Sequence, residues 1–490
     1  MVSSGMKSGL LMGFGSGFVV LGAVAVVYWP ALFFAQLQKM MVLSNTSTSF
    51  GIWREVPIPM YLECFMLNIT NVDEILAGHN VSIRVSQMGP YVYREHHTKE
   101  NITWHDNNTI SYFNKRTWHF QPDMSNGSLS DLVTSINPII VTVAHMVRHQ
   151  NSAIRMLAEV FMRALHDNIF LTANVSSWLF DGIDDRVLDI SSQIPVVQLP
   201  FDKFGWFYTR NGSMEYDGIF LMNTGAADFL ELGNIEKWKY SNRTVYRDEC
   251  GEVRGSSGEL WAPELGQPEV QVFAPDICTY LTLGIDKEVH VDGIDGVQYA
   301  ANVSVFDNGY NYPSTACYCD WNRDRDCLPP GALNVSACRY GAPAFVSLPH
   351  FLHTDPYYPS KIQGLEPTDE HNFRLALEML TGMPLQVAAQ LQINMLVRHV
   401  NLVSLNNQLP DPDTLVPMFW FRQEVHITPA YARMARMALN LRYGVPYALY
   451  TLTGLGLLLI VSGIIVLIRR LLLSPETTPI LSAESTSDEQ

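Results

Sequence analysis

The stretch GLLMGFGSGFVVLGAVAVVYW, residues 9–29, carries no charged side chain, and none occurs anywhere between Lys7 and Lys39. At about 1.5 Å per residue in a helix, such a run crosses about 30 Å of hydrocarbon. It reads as a membrane span. Working outward, a second uncharged run from Val445 to Ile468 lies between Arg442 and the pair Arg469-Arg470. Tyr443, Tyr447 and Tyr450 stand at one end of it, where amphipathic rings favour the headgroup layer. Lys7 before the first run and Arg469-Arg470 after the second place both tails in the cytoplasm, with Tyr28 and Trp29 at the opposite interface. The predicted order is a cytoplasmic tail (1–8), a span (9–29), an outward domain (30–444), a span (445–468) and a cytoplasmic tail (469–490). Ala23-Val24-Ala25 has the form of a signal-peptide cleavage site, but the apolar run continues to Trp29 and is long for a signal core.

Gly9, Gly13 and Gly17 recur at every fourth position, so they share one helix face that another helix could approach closely. Two partners fit that face: the second span, or a second copy of the chain in a homo-oligomer.

Between the spans lie eleven Asn-X-Ser/Thr sequons, at Asn45, Asn68, Asn80, Asn101, Asn107, Asn126, Asn174, Asn211, Asn242, Asn302 and Asn334. One sequon means little, whereas eleven on the side that charge places outside predict a glycosylated lumenal or extracellular domain. Alternation in VPIPMYLECFMLNIT and in GPYVYRE predicts strands. Helical spacing puts Ile154, Leu157, Phe161 and Leu165 on one face with Arg155, Glu159 and Arg163 on another, and a second helix is read in NFRLALEML, residues 372–380. The domain is therefore of mixed α and β type. A net charge of −16 argues against nucleic acid as a partner.

All seven cysteines fall in the outward domain, three of them in CYCDWNRDRDC, residues 317–327. Cys-X-Cys followed by a lone Cys fits no common zinc finger. Asp320, Asn322, Asp324 and Asp326 imitate a calcium loop, but Arg325 stands where a glycine is required and Gly331 where the bidentate glutamate belongs. Disulfides are the default for clustered cysteines in a secretory compartment.

The six cysteines from Cys250 onward, together with GPYVYRE, APDIC, GALNVSACRYGAPAFVSLPHF and MLTGMPLQVAAQLQINMLV, resemble the class B scavenger receptor family, also called the fatty-acid translocase or platelet glycoprotein IV family. The similarity covers nearly the whole chain and leans toward its lysosomal integral membrane protein type two branch. It implies an α+β fold: two transmembrane helices anchoring a large ectodomain with an irregular antiparallel β-barrel, an apical helical bundle and an apolar tunnel. It implies the pairs Cys250 with Cys317, Cys278 with Cys338, and Cys319 with Cys327, leaving Cys64 as a buried thiol. The implied function is a receptor that binds lipid or lipid-bearing ligands at the apex and moves fatty acids, sterols or phospholipids down the tunnel. At about 0.8 kcal/mol per methylene, a closed apolar path removes most of the barrier an acyl chain meets in water.

The apex should correspond to Val141–Asp189, where His145, Arg148, His149, Arg155, Arg163 and His166 suggest a basic, ligand-binding face. His145 and His149 match a metalloprotease helix only in spacing, since Met146 occupies the position of the catalytic glutamate. Lipid-importing members of the family use apical lysines, and this chain has Leu165-His166-Asp167 near that place. Histidines there would gain charge between pH 7 and pH 5, so apical affinity is expected to depend on pH. In the tail, Glu476 precedes Ile480-Leu481 with the spacing of an acidic dileucine signal read by clathrin adaptors, which favours late endosomes and lysosomes and a role in sorting an acid hydrolase. The alternative is a plasma-membrane scavenger receptor for lipoproteins, anionic lipids or apoptotic cells. No nucleophile elbow, phosphate loop or dinucleotide fingerprint points to an enzyme, and no cofactor is implied.

Overall fold

The computed structural model describes residues 4–191, 201–263, 267–319, 327–411 and 413–473. The chain forms two compact units, one made of residues 1–39 with 433–490 and the other of residues 40–432.

The first unit is a pair of long helices, Ser4–Met41 and Pro429–Leu473. Both run past the uncharged stretches that define the spans, because nothing in the flanking sequence stops a helix: Pro30 and Pro446 fall inside them without ending them. The helices meet through small residues. A Cβ on Gly15 would lie 2.7 Å from the Gly456 carbonyl oxygen, and one on Gly463 would lie 2.7 Å from Met12 Cγ. Ser8 Oγ donates to the Gly463 carbonyl at 2.8 Å. Such close backbone approach is how helices associate in lipid, where apolar burial offers no drive. The stripe Gly9, Gly13 and Gly17 is not the one used, since a Cβ at any of these positions would meet nothing within 4 Å.

The second unit is built on one large sheet. Strands β1 (Met60–Ile69), β2 (Ile83–Trp104) and β3 (Thr109–Phe120) follow one another antiparallel. Beyond β3 come Ile219–Asn223 and Ile235–Trp238. On the other side β1 pairs with Thr414–His426, so the first and last strands of the domain lie together. The sheet continues through Pro384–Val397, Arg374–Leu377, Ile294–Ala300, Thr279–Val291 and Glu269–Ala274. Its two outer strands are joined by a single extended residue: Ser256 bridges Asn234 on one side and Val272 on the other. That bridge nearly closes the sheet into an antiparallel barrel, which leaves little free edge. The barrel takes in Arg374–Leu377 as a strand, where spacing predicts a helix over 372–380. Leu375, Ala376 and Leu377 are all buried, and an apolar run this short has no periodicity that separates a buried strand from a helix.

GPYVYRE lies in β2. Gly89 has φ +113°, and a Cβ there would sit 2.7 Å from the Cys64 carbonyl oxygen, at the point where the β1–β2 register shifts between Cys64 and Met66. Only glycine fits this bend. Cys64 itself is free and fully buried, and burial pushes its thiol well above the usual range, so it is inert. Disulfides join Cys250 to Cys317, Cys278 to Cys338, and Cys319 to Cys327. The first two loops interleave, which ties the segment to the sheet at both ends. The calcium-like positions 320–326 lie outside the described residues, as do Glu476, Ile480 and Leu481; among the described residues no group of His, Cys, Asp or Glu is set to hold a metal ion.

Candidate functional site

Strands β4 (Leu132–Ile136) and β5 (Phe170–Asn174) form a small sheet, and between them run two helices, Pro138–Val147 and Ser152–Leu165. The first is apolar around its whole circumference and buried accordingly, from Pro138 to Ala144. Asn137 starts it, its Oδ1 accepting from Ile139 N–H at 2.9 Å with proline at the first helical position. Asn151 caps the second helix in the same way, accepting from Ile154 N–H at 3.0 Å.

The second helix turns an unexpected face outward. Ala158 and Met162 are buried, whereas Met156, Leu157 and Val160 are 55%, 48% and 59% exposed. Leu157, which spacing groups with Ile154, Phe161 and Leu165, is on the solvent side. The inward set is instead centred on Ala158 and Met162, one residue on from the face that the sequence pattern suggests.

The six residues read as a basic face do not form one. His145 is largely buried, and desolvation, reinforced by Arg148 and Arg398, lowers its pKa to about 3. It therefore stays neutral across the endosomal range. Arg148 folds back so that Nη1 donates to the His145 carbonyl at 2.7 Å. Arg163 is taken up locally, with Nε 2.9 Å from Glu159 Oε1 and Nη2 donating to Ser404 Oγ at 2.8 Å. The Arg155 Nε is buried with no hydrogen-bond partner among the described residues. His166 pairs with Asp185 at 3.0 Å. Burial opposes the charge on Asp185, but hydrogen bonds from His166 and the Val187 N–H outweigh it and hold this carboxylate below its usual range. His149 alone of the three histidines is exposed. The exposed face of this helix is apolar at Met156, Leu157 and Val160, with basic residues only at its fringe.

On one side of the sheet two layers succeed each other. The first is aromatic. Phe180 lies 4.7 Å from Tyr93, 5.7 Å from Trp118 and 5.3 Å from Phe207, and Phe207 lies 5.9 Å from Phe419. Trp206 and Phe421 continue the run beside Phe419. The second layer is ionic and was not legible in the sequence. Alternation along β2 turns Tyr93, Glu95, His97 and Lys99 to the same side, all buried. Lys99 bonds Glu259; Arg210 bonds Asp217 at 2.9 Å and Asp276 at 2.8 Å. The Glu95 carboxylate accepts from Trp118 Nε1 at 3.0 Å and from Gln423 at 2.8 Å. Burial drives Glu95 up and both His97 and Lys99 down from their ordinary values, while Asp217 and Asp276 overcome burial to keep Arg210 charged. The Arg210 guanidinium lies 5.6 Å from the centre of the Trp118 ring, where ionic and aromatic layers meet. The stretch REHHTKE, residues 94–100, is polar at every position, so no alternation in the sequence marks its buried side.

Comparison with known proteins places this chain among receptors and membrane proteins. The CD36 family pattern matches residues 13–467, which takes in the cores of both long helices and the whole domain between them. Scavenger receptor class B member 1 of Cricetulus griseus is 31% identical over 459 residues, covering 92% of this chain and 87% of that protein. Protein peste of Drosophila melanogaster is 31% identical over 85% of this chain and 76% of that protein. Lysosome membrane protein 2 of Homo sapiens is 30% identical over 86% of this chain and 86% of that protein. Identity of this order does not separate the lysosomal branch from the others.

Proposed function

This chain belongs to the CD36 family, and from that premise we propose that it is a two-pass membrane glycoprotein receptor that captures lipid or lipid-bearing ligands on the helix Ser152–Leu165 and passes lipid through the barrel. Its work is binding and transfer rather than catalysis. The observation that carries this reading is the exposure of Met156, Leu157 and Val160 side by side on a helix whose other face is packed. A contiguous apolar patch rimmed by polar groups marks a site of interaction. The aromatic run from Phe180 to Phe419 offers an apolar lining for an acyl chain or sterol. The adjoining ionic layer offers polar partners for a headgroup. Met156→Glu with Val160→Glu tests the capture step: ligand or lipoprotein binding by the full-length protein should fall at least about tenfold, with the thermal transition unchanged. Undiminished binding would remove this helix from the site.

For location we favour late endosomes and lysosomes, with clathrin adaptors reading Glu476, Ile480 and Leu481 and with an acid hydrolase as a further candidate cargo. Support comes from that tail and from similarity to Lysosome membrane protein 2. The second reading is residence at the plasma membrane as a scavenger receptor, favoured by the 31% identity to Scavenger receptor class B member 1 over 92% of the chain. Leu481→Ala in a tagged full-length protein decides between them: redistribution from lysosome to surface supports the first, and surface residence before and after supports the second.

A further inference from the structure

The two long helices contain no acidic residue, although the chain as a whole carries a net charge of −16. Their cations fall into two sets. Lys7, Arg469 and Arg470 lie at one end; Lys39, Arg433, Arg436 and Arg442 lie at the other. Arg442 and Arg469 are 27 positions apart in one continuous helix, which is about 40 Å at about 1.5 Å per residue. A bilayer with its headgroups measures about 40–45 Å. The second set therefore begins in the far headgroup layer and extends above it. Arg442 is steadied there by the rings of Phe33 and Tyr443, 6.0 and 5.9 Å away. Arg433 and Arg436 are exposed and have neither ion pair nor hydrogen bond to any described residue. They stand at the top of a groove of about 600 Å³ along the helix, floored by Met437 and Leu441 and running down to Val445 and Ala448 in the apolar span.

Positive charge without counter-charge above an apolar floor that continues into the membrane is complementary to one occupant, a lipid with an anionic headgroup. We propose that Lys39, Arg433, Arg436 and Arg442 form a collar that binds phosphate-bearing headgroups of the non-cytoplasmic leaflet, with a lipid held in the groove below Arg433 and Arg436. This inference rests on the membrane reading but not on apical capture or on the tunnel. It assigns the collar a task that charge bias alone does not, because cations on this side oppose the usual orientation signal. The collar would hold anionic lipid where the chain leaves the membrane.

The test uses the full-length protein in nanodiscs of phosphatidylcholine containing a minor fraction of phosphatidylglycerol, with lipid retained on the protein counted by native mass spectrometry. Phosphatidylglycerol should be enriched over its share of the disc, and added salt should weaken the enrichment. Arg433→Gln with Arg436→Gln should lower it about tenfold, given the contribution of each basic residue near an anionic surface. The lysine pair Arg433→Lys with Arg436→Lys should keep most of it, which separates charge from a change of fold. Soluble glycerophosphate should not compete; full displacement by it would replace the lipid with a free phosphate ligand and overturn the proposal. Equal retention of both lipids by the wild-type protein, or the same enrichment in the glutamine pair, would overturn it too. A protein that does not enter discs at all would instead defeat the membrane reading.

Discussion

Lys99 shows how much the ionic layer depends on pairing. Its side chain is fully buried against Glu259, with His97 Nδ1 only 3.3 Å from the same carboxylate. A buried charge is tolerable when its partner is present and costly when it is not. Lys99→Met should therefore destabilise the protein by about 3–5 kcal/mol by stranding Glu259. Lys99→Met with Glu259→Leu should recover most of that loss, read as the urea midpoint of the full-length protein in detergent; a double variant no better than the single would mean the pair is not coupled. His350 makes a different prediction. Its Nδ1 accepts the Glu366 N–H at 2.9 Å, its Nε2 faces Gln87 Oε1 at 2.8 Å, and its ring stacks on His371 at 4.2 Å. Burial, with His371 adding to it, brings the His350 pKa down to about 4. A base whose pKa is depressed on folding binds fewer protons folded than unfolded between about pH 4 and about pH 6.5. Its contribution is complete above about pH 6.5 and is lost as pH falls toward about 4. Stability at about pH 5 should thus lie below that at about pH 7.5, and His350→Asn should shrink this difference by on the order of 1 kcal/mol. An unchanged difference would show that His350 does not titrate in this range.

At the scale of elements, the two membrane helices make a discriminating test. Gly15→Leu must push Gly456 and Ile460 away, since even a Cβ would approach within 2.7–2.9 Å of them, whereas a Cβ at Gly13 has nothing within 4 Å, which leaves space for Gly13→Leu. Energy transfer between fluorophores on the two tails should fall in the first variant and hold in the second. Loss in both would move the contact to the other face. Which glycines meet is a matter of helix rotation, and a stripe of glycines carries no record of that; the regular spacing of Gly9, Gly13 and Gly17 is the more visible pattern and the wrong one for this contact. The same limit explains residues 372–380, where both faces of a short strand are covered and alternation vanishes. The helix from Ser152 to Leu165, covered on one side only, announced itself by period; GPYVYRE was legible from its flanking glycine and β-formers although Tyr91, Val92 and Tyr93 are all buried. The site was less so. Charge on that helix is visible in sequence, but the partners that Ser404 and Asp185 supply to Arg163 and His166 come from outside the helix, Ser404 from far along the chain. The apolar strip of Met156, Leu157 and Val160 is indistinguishable in sequence from a core stripe.

For the whole molecule, the decisive quantity is which side of the membrane residues 40–432 occupy. Counting nearby cations gives Lys7, Arg469 and Arg470 against Lys39, Arg433, Arg436 and Arg442, so charge bias does not orient the hairpin unaided. The sequons do more. Asn80, Asn107 and Asn242 are exposed, whereas Asn68 is half-buried with Oδ1 accepting the Thr134 N–H at 2.8 Å. If the domain passes through the secretory compartment, exposed sequons should carry glycans and the half-buried Asn68 should not. Asn80→Gln, Asn107→Gln and Asn242→Gln should each lower the apparent mass of the cell-expressed protein by one glycan. Asn68→Gln should leave the mass unchanged and instead lower stability by about 1–3 kcal/mol, because the Thr134 N–H loses its acceptor. Glycosidase treatment that shifts nothing would place the domain, and with it the disulfides and the collar, on the cytoplasmic side. The receptor would then have no face toward an external ligand.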